Sequence, residues 1–270
     1  MESFLVLVCI FTMMSASIFD VIWREIPDVH WWIIGISGIA SCIISEIDIP
    51  SILMAIGSLL FLVEMLTDLD LGTRALVLYY AAASSFFIAA MSIGDVSMTA
   101  CVSMPLCICT FRILYVTGIL KGGADAKSLM ALSIALPVRP TCLSVIQGID
   151  AIGMFPMSLL LLASVMTVAS ALPIAVRNII VEKIVTLRDL TMVRKDIDDV
   201  VPTHMWIRQD VIGGEIRYVK DADVSALERL KEHGADSVWV SPIVPFMVPI
   251  TIALVFELVI VDPLSFVFTF

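Results

Sequence analysis

Histidine is scarce in this chain. Three occur in 270 residues, at 30, 204 and 233, and none belongs to an H-E-x-x-H pair, so the ligands of an intramembrane zinc hydrolase are missing. Charge is scarce too. Asp, Glu, Lys and Arg make up 16% against 60% hydrophobic residues, with a mean hydropathy of +1.03, which excludes an ordinary soluble globular composition. The six cysteines, at 9, 42, 101, 107, 109 and 142, contain no C-x-x-C pair, and their one close spacing, Cys107-Ile108-Cys109, has no histidine nearby. They read as packing residues; no metal, cofactor or nucleic-acid partner is expected. No internal repeat is visible. The first apolar run, Phe4 to Phe19, lacks a basic flank and a small-residue cleavage site, so it reads as a retained span and not as a signal peptide.

What is present is a series of long apolar runs. A bilayer crossing takes about 20 apolar residues, and by that ruler spans are expected near 3–19, 30–46, 50–66, 75–92, 96–119, 126–142, 153–175 and 242–261. The third contains Glu64, and the sixth is short and carries Pro137 and Arg139. The fold class is therefore an all-α polytopic membrane protein of about six to eight helices, embedded in a plasma-membrane bilayer. Its expected domains are a transmembrane domain over 1–176, a small α+β cytoplasmic module over 177–240 and a C-terminal helix over 241–270.

The module is read from local pattern. Met205 to Val219, broken by Gly213-Gly214, has the alternation of a β-hairpin, and Asp221-Ala222-Asp223-Val224-Ser225 opens a short helix that His233-Gly234 stops. The stretch after Val176 is periodic enough to prolong the seventh span as an amphipathic helix. The segment Arg177 to Val238 holds ten of the sixteen Lys and Arg residues. The positive-inside rule therefore puts it in the cytoplasm. Eight spans then place the 20–29 loop on the same side, and the four spans between Asp20 and Asp125 bring both carboxylates to that cytoplasmic face.

Those two aspartates are the residues to explain. Asp125 lies in Lys121-Gly122-Gly123-Ala124-Asp125-Ala126-Lys127-Ser128, a glycine-bearing turn opening an apolar run. Ionisable groups at the mouth of a span are functional candidates because hydrocarbon disfavours them by several kcal/mol. Gly122 and Gly123 permit unusual backbone angles and close approach, whereas the bland account of Asp125 is a helix cap. Asp20 ends the first run and begins Asp20-Val21-Ile22-Trp23-Arg24-Glu25-Ile26-Pro27-Asp28. Arg24 shares a face with Asp20 if the helix continues, Asp28 suits a cap for the next helix, and Lys127 is placed to snorkel towards headgroups. Asp95, after Gly94, is the competing glycine-aspartate turn, and parity puts it outside.

Together the Asp-x-x-x-Arg-x-Ile-Pro-Asp and Gly-Gly-Ala-Asp-Ala-Lys stretches resemble the type IV prepilin peptidase and archaeal preflagellin peptidase family of membrane aspartic proteases. Trp239-Val240-Ser241-Pro242 and Pro245-Phe246-Met247-Val248-Pro249 also look like the C-terminal region of archaeal members. The resemblance implies that Asp20 and Asp125 are catalytic, with Gly122 and Gly123 forming the site loop. Ala124 departs from the Gly-x-Gly-Asp pattern and matches an archaeal variant. The implied activity is aspartic endopeptidase cleavage of basic leader peptides from prepilin-like or preflagellin-like precursors. Without a Cys-rich N-terminal insert, methylation is not expected. Inner acidic residues, Glu25, Asp28, Glu64, Asp68 and Asp70, would attract a basic leader.

Two further readings stay open. Paired carboxylates also serve ion- or proton-coupled transporters, although the matching broken half-helices of such proteins are not seen. An aspartic protease of the signal-peptide-peptidase type lacks the early Asp-x-x-x-Arg-x-Ile-Pro stretch. Gly35-Ile36-Ser37-Gly38 matches a rhomboid serine-protease pattern but has no histidine within the membrane to act as base. It reads as a small-residue helix contact, and Trp31 and Trp32 read as an interfacial belt.

Overall fold

The structure, a computed structural model, describes residues 1–45, 47–67, 72–94, 96–120, 122–140, 154–180, 191–202, 204–242 and 244–259. Among the described residues, helices lie at or near each expected span: α1 (Glu2–Ile22), α2 (Val29–Ser45), α3 (Ile49–Thr67), α4 (Thr73–Ile93), α5 (Met98–Val116), α6 (Gly123–Ala135), α7 (Phe155–Ile180) and, after the polar segment, α9 (Met247–Val259). Five of these, α1, α3, α4, α5 and α7, are long and apolar enough to cross a membrane. The helix α6 is shorter than its sequence implied: it ends at Ala135, two residues before Pro137, since the residue before a proline is pushed out of helical geometry.

Local chemistry sets several boundaries. Asp48 Oδ1 accepts the Ser51 N–H at 2.9 Å and Ser97 Oγ accepts the Ala100 N–H at 3.4 Å. Each side chain thereby satisfies an otherwise orphan donor at the start of α3 or α5. The end of α1 is sharp. Trp23 is its C-cap and Arg24 has φ +60°, a left-handed conformation that stops the helix. Arg24 therefore does not share a helical face with Asp20.

Two compact units emerge, one of 1–164 with 246–270 and one of 165–245, so the division falls within α7. In the first, α2 packs against α1, α3 and α6, α3 packs against α4, α5 against α6, and α9 against α1. Small residues set the spacing. A side chain at Gly38 would meet the Ala135 backbone at 2.6 Å, and one at Gly35 would run into Leu62, so Gly35-Ile36-Ser37-Gly38 is where α2 meets α6 and α3 closely. Trp31 is fully buried; it belongs to the core and not to an interfacial belt. Cys9, Cys101 and Cys107 are buried free thiols, with Cys42 and Cys109 partly buried.

The second unit carries β1 (Val193–Asp196), β2 (Met205–Ile212), β3 (Glu215–Ala222), α8 (Ser225–Glu232) and β4 (Ser237–Pro242). The antiparallel sheet runs β1-β4-β2-β3. Gly213 and Gly214, at φ +63° and +80°, make the tight turn that joins β2 to β3. Ala222 still belongs to β3, so α8 starts later than the sequence suggested. Asp223 Oδ1 caps it through the Ala226 N–H at 3.2 Å. Ile197, Val200, Ile207, Ala226, Leu230, Val238 and Val240 form the core of this unit.

Candidate active site

Asp20 sits in the last turn of α1 and Asp125 in the first turn of α6. These helices touch, and the Asp20 carboxylate lies within Coulombic reach of the Asp125 carboxyl. Four apolar helices, α2 to α5, separate the pair in sequence. Tertiary packing brings the two together.

The surroundings of the two carboxyls differ. Asp20 Oδ2 accepts the backbone N–H of Met247, the first residue of α9, at 3.3 Å, and Arg24 adds a favourable charge nearby. Asp125 is the acidic residue of the first turn of α6, whose N-cap is Gly122. Its carboxyl reaches back over Gly122, where a Cβ would collide with Asp125 Oδ2.

That collision explains the glycine. Gly122 has an ordinary extended φ of −82°, so the position uses the missing side chain and not the conformational freedom expected from sequence. Gly123 is looser: a Cβ there would lie 3.4 Å from Tyr115 Oη of α5. The Tyr115 hydroxyl therefore borders the glycine loop, a neighbour that sequence reading did not find.

Lys127 is tied down. Its Nζ is 3.2 Å from both carboxylate oxygens of Asp28, linking the loop after α1 to the start of α6. It is engaged in the protein and does not snorkel, and the Asp28 carboxylate serves this pair while its backbone carbonyl accepts from Trp31 and Trp32 at the start of α2. His30, buried on α2, has Nδ1 2.9 Å from Pro27 O and Nε2 3.1 Å from Ser15 Oγ. This braces the same loop against α1.

Of the acidic residues expected at the mouth, Glu64 is elsewhere in character. It is fully buried, accepts Tyr80 Oη–H at 2.6 Å and pairs with Arg112 Nη2 at 2.6 Å. Its charge is neutralised inside the helix packing, so it does not attract a leader. Asp68, Asp70, Asp95, Lys121 and Cys142 lie outside the described residues. Among the described residues no three His, Cys, Asp or Glu side chains group as a metal set. An apolar cleft of about 530 Å³, lined by Met14, Thr251, Ile252, Val255, Phe256 and Val259, opens along α1 and α9.

Comparison with protein-family models, with curated proteins and with solved structures finds no match. Two carboxyls on touching helix ends, one of which accepts a backbone N–H, have the unequal surroundings that would let one ionise before the other. Sequence reading missed the contribution of α9. Its one signal was the Pro245-Phe-Met-Val-Pro249 run, since proline favours helix starts.

Proposed function

We propose that this chain is a polytopic membrane aspartic endopeptidase, in which Asp20 and Asp125 hydrolyse a peptide bond at the cytoplasmic edge of the plasma membrane. The carrying observation is that α1 and α6 touch, with Asp20 in the last turn of one and Asp125 in the first turn of the other. The substrate class proposed is a prepilin-like or preflagellin-like precursor with a short basic leader, on the strength of the Asp-x-x-x-Arg-x-Ile-Pro-Asp and Gly-Gly-Ala-Asp resemblance.

The chemistry follows from the pair. One carboxylate takes a proton from water as its oxygen bonds to the scissile carbonyl carbon, while the other carboxylic acid gives its proton to the carbonyl oxygen. In the collapse that follows, the first returns its proton to the amine nitrogen as the C–N bond breaks. A hydroxyl proton of the gem-diol passes to the second, restoring both.

The test is to incubate membranes containing the protein with candidate precursors and determine the new N-terminus of the product. A single cut between the basic leader and the apolar segment is the expected result. Intact precursors alongside carboxyl-dependent ion or proton flux in vesicles would replace this reading with the transporter.

A further inference from the structure

The two carboxyls have unequal hydrogen-bond environments, and this distinguishes their roles. Asp20 is reached by the Met247 N–H at the start of α9, which adds the positive end of a helix dipole, and by the charge of Arg24. The same end of α9 is fastened to α1 by side chains. Ser17 Oγ donates to Met247 O at 3.1 Å and lies 2.7 Å from Thr251 Oγ1, which in turn donates to Met13 O at 3.1 Å. Asp125 has the weaker support. Among the described residues no donor bonds its carboxyl; its fixed neighbours are the bare Gly122 backbone and the Asp20 charge.

The charged groups around the pair act in the same sense. Arg24, from the loop after α1, favours the Asp20 anion; Asp125, from α6, is the like charge opposite it. Lys127 is matched by Asp28. His30 of α2 is occupied by Ser15 and Pro27. When two like carboxyls cannot both ionise, the proton stays where the anion has fewest donors.

Resting on the protease reading, we infer that the N-terminus of α9 is part of the catalytic apparatus. The Met247 amide, positioned by Ser17 and Thr251, holds Asp20 as the anion that activates water, which leaves Asp125 as the acid that protonates the carbonyl. The C-terminal helix thus completes a site whose two side chains both lie in the first half of the chain.

Two measurements on the full-length protein in membranes test this. The first reads protonation without cleavage: infrared difference spectra of wild type against Asp20→Asn and against Asp125→Asn at neutral pH. Asp20→Asn should delete a carboxylate band and Asp125→Asn a protonated carboxyl band. The reverse assignment, or two carboxylate bands, overturns the inference while leaving the protease reading intact.

The second uses proline, which fits the first position of a helix but carries no N–H. Met247→Pro is compared with Met247→Ala, which loses the same buried side chain and keeps the donor. Expected is a further loss of about tenfold or more in kcat/KM for the proline variant, from removing a bond to a charged group, with the acid limb of the pH profile displaced upward. Ser17→Ala should move the limb the same way and Ser17→Thr restore it. Equal kinetics and equal pH limbs for the two Met247 variants would remove α9 from the mechanism. Failure of wild type to cut any precursor, with the infrared assignment as expected, would sink the protease reading and the catalytic role of α9 with it, leaving only the unequal protonation of the pair.

Discussion

Asparagine at position 20 or 125 keeps the size of the side chain and much of its hydrogen bonding but removes the ionisable proton. Asp20→Asn and Asp125→Asn should each lower cleavage by more than about 10³-fold while leaving the protein inserted. The double variant should be no worse, because members of one catalytic unit do not contribute additively. Activity assays on all three decide it, and survival of either single variant would break the pair. Gly122→Ala is a subtler probe. A methyl group there collides with the Asp125 carboxyl and must displace it, and a displacement near 1 Å costs about 100-fold in rate. Gly123→Ala meets only Tyr115 Oη, at 3.4 Å, and should stay within about tenfold. If the two alanine variants were equally active, the close approach at Gly122 would have no catalytic meaning.

Among the elements, α3, α4 and α5 are joined by a buried polar cluster. Glu64 accepts from Tyr80 and pairs with Arg112, and removing one member of such a pair strands the other in low dielectric at about 3–5 kcal/mol. Glu64→Gln should therefore lower the thermal stability of the detergent-solubilised protein more than Glu64→Gln with Arg112→Gln together, because the double change leaves no unmatched charge. In the second unit the tie between β2 and α8 is exposed and electrostatic. Hydrogen bonds from Arg229 hold the Asp210 carboxyl below the ordinary carboxylate range, and bonds from Ser225 and then Arg229 do so for Asp223. Groups with depressed folded-state values stabilise above their unfolded values, near 4, and that contribution is lost as pH falls through the folded values. Hydrogen exchange along β2, β3 and α8 should accelerate below about pH 4. Arg229→Met should flatten that dependence, and an unchanged profile would show that the cluster adds nothing to stability.

For the whole molecule, orientation decides whether the site is where the proposal needs it. Reporters inserted after Pro27, Gly122 and Gly213 should all read cytoplasmic, and one after Asp48 external. An external signal at Gly122 with an internal one at Pro27 would separate the carboxyls by a bilayer. Much of this was legible in the sequence because it depends on composition and short-range pattern. Apolar runs marked where the helices lie, five of them long and apolar enough to cross a membrane, and the Gly213-Gly214 hairpin followed from two residues that tolerate positive φ. Asp20 and Asp125 were visible because a charge ending or opening an apolar run is rare and costly. What only the tertiary structure decided concerns groups far apart in the chain. A backbone N–H such as that of Met247 leaves no mark in the sequence, and Glu64 reads as a mouth residue until Arg112, 48 positions later, is seen to neutralise it. Lys127 likewise looks like a headgroup anchor until Asp28 is found opposite. Periodicity reports which face of a helix is apolar, but the partner of a polar group is set by which helices pack together, and that depends on shape complementarity summed over the whole bundle.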